Sequence, residues 1–260
     1  MSQSTPLQID VVRGHKPART RPAKSARYFY SVAAVIMLMV MLAGFYPYYL
    51  RGEGMGGRKI PPQLVTLVLI HGAAMTAWVI LFLVQTLLVP ARKLRLHMKL
   101  GWGAVAVALV VSVSGFLVAV QSVRPVPAIP FWGMAYRQFL MVMLGEVLLF
   151  TLFVLAGVLS RKKPNIHRAM MLLASLSILA GATVRMPVLF PIFGEGGWVG
   201  IFGPTFTLGA VFLLSRSLLG RAFDRWFAAG YAAMIVLYVA ACKFAVSDAW
   251  SYLAKAVFNA

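Results

Sequence analysis

A chain of 260 residues, 61% of them hydrophobic and only 12% charged, holds more apolar surface than a soluble globule of this size can hide and far more than a disordered chain carries. Its 25 Lys and Arg stand against 6 Asp and Glu, a net charge of +19. Basic cytoplasmic loops of a membrane protein account for that excess better than nucleic-acid binding does, so the expected partner is the lipid bilayer and not nucleic acid.

Residues 1–27 read as a disordered cytoplasmic tail, separate from a transmembrane domain over 28–260. The tail holds Pro6, Pro17 and Pro22, and its basic residues from Arg13 to Arg27 face a single acid, Asp10. It is too long for the start of a signal peptide. Leu42-Ala43-Gly44-Phe45 also lacks a small-x-small cleavage site, so the first apolar run is a retained anchor.

Seven apolar runs follow, at about 29–50, 64–89, 100–121, 138–159, 169–190, 199–215 and 226–247. Each is long enough to cross a bilayer as a helix, the only single-segment structure that satisfies its own backbone in lipid. The predicted fold is all-α, a polytopic bundle of about seven transmembrane helices. The sixth run is the shortest and contains Gly200, Gly203, Pro204 and Gly209, so a kink or an unwound stretch is expected there.

Most of the Lys and Arg fall on the tail side. They lie in the tail itself, at Arg92, Lys93, Arg95 and Lys99, at Arg161, Lys162, Lys163 and Arg168, and at Arg216, Arg221 and Arg225. The expected placement is an inner membrane, with the N-terminus cytoplasmic and the C-terminus periplasmic or external. The opposite loops carry Tyr46, Tyr48, Tyr49, Phe131, Trp132 and Trp198, which suit the membrane interface. Cys242 is the one cysteine, so neither an internal disulfide nor a cysteine-built zinc site is available. The second-to-third and fourth-to-fifth connections share a basic stretch ending in an apolar residue and a histidine, Leu96-His97 and Ile166-His167. This is a weak internal repeat of two hairpins.

Ionisable groups inside a membrane are costly and point to function. His71 lies roughly 10 Å into the second span at 1.5 Å per residue. It begins a stripe at helical spacing, His71, Met75, Trp78, Phe82 and Gln85, whose polar members need protein or a wet cavity beside them. Glu146 has no polar neighbour within four positions in its span and needs a cation, a donor or a proton from another helix. Arg185 in the fifth span is the expected partner, at similar depth. His71, Glu146 and Arg185 are thus expected to form a site for a small polar ligand or a proton, lined by Trp78 and Gln85. Lys243 is close enough to the end of its span to snorkel.

Two other readings stay open. His97 and His167, at equal depth, are alternative axial ligands for a b-type haem. A two-haem cytochrome needs four histidines in two layers, however, and His71 is alone in its layer, so the leading expectation is no cofactor. The third reading is a non-catalytic structural or assembly subunit whose polar groups only pack helices. No Gly-rich phosphate loop, His-Glu-x-x-His or paired-carboxylate motif is present to name an enzyme.

The run from His71 through Trp78, Phe82 and Gln85 to Leu96-His97-Met98-Lys99-Leu100-Gly101 resembles an uncharacterised bacterial family of multi-span inner-membrane proteins. Pro164-Asn165-Ile166-His167-Arg168-Ala169-Met170-Met171 looks like that family's second turn, with Glu146 in its acidic place. Met98, Arg168 and Ala169 depart from the residues usual there. The resemblance spans roughly residues 45–190 and implies paired hairpins, but no activity.

Overall fold

Among the described residues seven helical segments are long and apolar enough to cross a membrane, and they make up nearly all of the architecture. The computed structural model describes residues 27–54, 57 and 59–259. Apart from Arg27, the expected tail lies outside these residues.

The helices are α1 (Phe29–Arg51), α2 (Pro62–Leu88), α3 (Leu94–Val123), α4 (Tyr136–Leu159), α5 (Pro164–Ser177), α6 (Ala180–Thr183), α7 (Phe190–Phe193), α8 (Gly197–Gly220), α9 (Arg225–Ala245) and α10 (Asp248–Phe258). A two-residue hairpin, Pro130–Phe131 against Met134–Ala135, closes the loop before α4. Local chemistry sets the ends. Pro62 and Pro164 open α2 and α5, where a missing N–H costs nothing. Gly52 ends α1 at φ 64, a left-handed cap that glycine takes without strain. Asp224 accepts from the Phe227 amide at 3.2 Å and starts α9.

The turns from α2 to α3, α4 to α5 and α8 to α9 form a basic end. The loops from α1 to α2 and α3 to α4, and the stretch from α6 to α8, form an aromatic end. Helix α2 packs along α3, and α4 along α3, α5 and α9, so the two expected hairpins are present. Trp78, Phe150, Phe202 and Tyr238 are fully buried between helices. Leu109, Leu148, Leu155, Leu214 and Val236 point outward, exposed, as the lipid face of a bundle requires.

Two features differ from the sequence expectation. The sixth run is one continuous helix, α8, although it contains Pro204. Its glycines are points of close approach instead. A Cβ on Gly203 would stand 2.5 Å from the Phe193 ring, and one on Gly209 would stand 2.4 Å from Tyr231. Small residues at such crossings let neighbours nest. The broken span is the fifth: α5 stops at Ser177, α6 adds one turn, and Pro187–Leu189 forms a 3₁₀ turn. Side chains seal this break. Tyr238 Oη donates to the Ser177 carbonyl at 2.6 Å, Ser177 Oγ to the Ala174 carbonyl at 2.9 Å, and Arg185 to the Gly181 carbonyl. Lipid tolerates non-helical backbone only when such partners exist.

The second difference is α10, which the apolar runs did not mark. Trp250 Nε1 donates to the Arg137 carbonyl at 2.9 Å, and Arg124 Nε donates to the Phe258 carbonyl at 2.7 Å. These bonds hold α10 against the aromatic end. Trp250 and Ala254 are buried on one face while Tyr252 and Val257 are exposed on another, the build of an interfacial helix.

Candidate functional site

A cavity of about 440 Å³ enters the bundle at the aromatic end. Its rim includes Glu53 and Lys59, which pair as a single antiparallel bridge in the α1–α2 loop. Its walls include Tyr48, Tyr136 and Phe139, and deeper in it is lined by His71, Glu146 and Arg185. Three spans thus bring their isolated ionisable residues to one space.

His71 stands on α2. Its Nδ1 lies 3.0 Å from Ser114 Oγ on α3, and the Ser114 hydroxyl lies 2.6 Å from the Val110 carbonyl. A carbonyl only accepts, so Ser114 spends its proton there and receives the bond from His71. Nδ1 therefore carries the ring proton, and Nε2 is left with its lone pair. Gly115 makes room for the ring, because a Cβ there would lie 3.2 Å from His71 Cε1.

Glu146 is near the middle of α4. Its Oε1 is buried without a hydrogen-bond partner. The expected ion pair to Arg185 is not formed. Among the described residues the ion pairs are Arg51–Glu53 at 3.9 Å and Arg216–Asp224 at 3.6 Å. Arg185 follows α6, donates to the Gly181 carbonyl and lies 4.6 Å from the centre of the Phe45 ring, a cation–π distance. It is held by the broken fifth span and by α1 rather than by the carboxylate.

Trp78 and Gln85 do not line the cavity, which corrects the sequence expectation. Trp78 is turned into the core, edge-on to Phe150 with ring centres 4.9 Å apart. Gln85 is further along α2, toward the basic end, where its Nε2 donates to the His97 carbonyl at 3.1 Å. The stripe does keep one face, but that face runs deeper than the cavity. Lys243 is exposed near the end of α9.

His97 and His167 are each the fourth residue of their helices, α3 and α5. Their ring centres are 6.3 Å apart, with the planes at 89°. Nδ1 of His167 lies 2.8 Å from the Gly157 carbonyl oxygen. Among the described residues no group of three or more His, Cys, Asp or Glu gathers at one place.

The sequence did not single out Tyr238, Ser114 or Phe45. Each acts through a contact on another helix, and within its own span each looks like an ordinary apolar or interfacial position. Comparison with protein-family models, curated proteins and solved structures finds no match to this chain.

Proposed function

We propose that this multi-pass membrane protein lies in an inner membrane with its basic end cytoplasmic, and admits a small polar ligand or a proton into the cavity from the other side. The observation that carries this reading is that His71, Glu146 and Arg185, from separate spans, line one cavity while Glu146 Oε1 has no partner of its own. Leaving a buried carboxylate oxygen unpaired is expensive unless something enters to pair it. The donor set describes the guest. Arg185 offers its remaining N–H groups to an anionic or carbonyl oxygen. His71 Nε2 and Glu146 accept from an O–H or N–H. A ligand with both kinds of group, or a proton carried by water, meets all three.

Cys242 is the chain's single cysteine, which makes the test direct. In a Cys242→Ala background, Met143→Cys on the cavity wall should react with a membrane-impermeant thiol reagent added outside intact cells. Trp78→Cys, in the closed core, should not. Native mass spectrometry should then show a small adduct that Arg185→Gln and Glu146→Gln both weaken. A Met143→Cys thiol that is silent from outside, or an adduct unchanged in both variants, would reject the reading.

A further inference from the structure

The basic end holds a second constellation, away from the cavity. Gln85, His97 and His167 come from α2, α3 and α5. Because the Gly157 carbonyl only accepts, Nδ1 of His167 must carry the proton of their 2.8 Å bond. Its Nε2 then keeps a free lone pair. A hydrogen bond from the far ring nitrogen to a backbone carbonyl is the support that metal-bound imidazoles characteristically have. Gln85 steadies the facing ring's helix turn through the His97 carbonyl at 3.1 Å. Nδ1 of His97 and Oε1 of Gln85 are both buried without a hydrogen-bond partner. Such orphaned groups are rare unless something else satisfies them.

The spacing of the rings matches one kind of occupant. A metal held at about 2.0–2.1 Å from each of two imidazole nitrogens, with the two bonds opposed, sets the ring centres about 6 Å apart. The observed separation is 6.3 Å. We infer that His97 and His167 are an opposed pair of imidazole ligands for a transition-metal centre at the basic end of the bundle.

The surrounding chain narrows the kind of centre. Arg92, Lys93 and Arg95 belong to the α2–α3 turn and start of α3, Arg161, Lys162 and Lys163 to the α4–α5 turn, and neither stretch contains an acid. A bare dication would meet a cationic surface with two neutral rings to hold it and no carboxylate to balance it. A haem iron brings four equatorial nitrogens and an anionic macrocycle, and its propionates suit guanidinium and ammonium neighbours. Two protein ligands are then enough, which agrees with the lack of a third His, Cys, Asp or Glu nearby among the described residues.

The test uses the full-length protein in detergent. It is titrated with haemin and, in separate samples, with Cu²⁺ alone and with Zn²⁺ alone. The expected result is saturable haemin binding at one per chain with a low-spin, six-coordinate spectrum. His97→Ala and His167→Ala should each weaken binding by about tenfold or more, an effect at least as large as losing an outer-shell partner, while Tyr252→Phe, on the exposed face of α10, leaves it unchanged. His167→Met keeps an iron ligand, so it should shift the spectrum rather than erase it, which separates ligand loss from misfolding. Saturable copper or zinc binding that the same two alanine variants abolish, without haemin binding, would retain the two-histidine site and make its occupant a bare ion. Binding that survives both alanine variants, or no saturable binding of any of the three probes, would overturn the inference.

Discussion

Removing one hydroxyl should reveal how the broken fifth span is held. Tyr238 is fully buried and its Oη donates at 2.6 Å to the Ser177 carbonyl, where α5 ends. Its ring lies flat on Phe202, with centres 4.1 Å apart and planes 4° apart. Tyr238→Phe keeps that stack and the core volume, so the loss isolates the hydrogen bond. An ordinary interhelical hydrogen bond in a membrane averages about 0.6 kcal/mol, because the unfolded chain finds other partners in lipid. The Ser177 carbonyl differs, since it stands at a helix end without an intrahelical donor to return to. Leaving such a group buried and unsatisfied costs about 1–3 kcal/mol, so a loss in that range is expected. Reversible unfolding in mixed micelles with rising dodecyl sulfate, followed by circular dichroism, measures it. Tyr252→Phe, on the exposed face of α10, is the control and should change nothing. Amide exchange over residues 178–181 should also rise in Tyr238→Phe. A loss below about 0.5 kcal/mol with unchanged exchange would refute the claim that this hydroxyl seals the break, since it would fall under even the membrane average.

Packing and topology give two further tests. A Cβ on Gly44 would fall 2.3 Å from the Ala182 backbone oxygen, so Gly44→Leu should push α1 off α6. It should cost about 1–3 kcal/mol or more, read as a fall in melting temperature in detergent; a neutral result would mean that the two helices do not touch. A cytoplasmic reporter inserted beside Lys162 should be active and the same reporter fused at Ala260 silent, and activity at both would require an even number of crossings.

The amino-acid sequence was enough for the number and approximate position of the spans. Hydropathy over about 20 residues is a local property, and lipid leaves the backbone no alternative to a helix there. The sequence also marked His71, Glu146 and Arg185, because an ionisable residue stands out against an apolar run. It could not decide which span is interrupted. Glycine and proline in the sixth run suggested a break, yet Gly203 and Gly209 serve Phe193 and Tyr231 from other elements. The fifth run breaks at an unremarkable Ser177, because Tyr238 from α9 is placed to take its carbonyl. Nor could it assign Trp78 and Gln85, whose helical spacing from His71 fixes a shared face but not how far a cavity reaches along it. Nor could it decide that Glu146 and Arg185 would share a cavity without forming a direct ion pair. Depth along a span is readable from residue number, but the side-chain partner depends on rotation and on backbone carbonyls exposed elsewhere, here that of Gly181. These are pairwise facts between distant segments, and only the packed bundle supplies them.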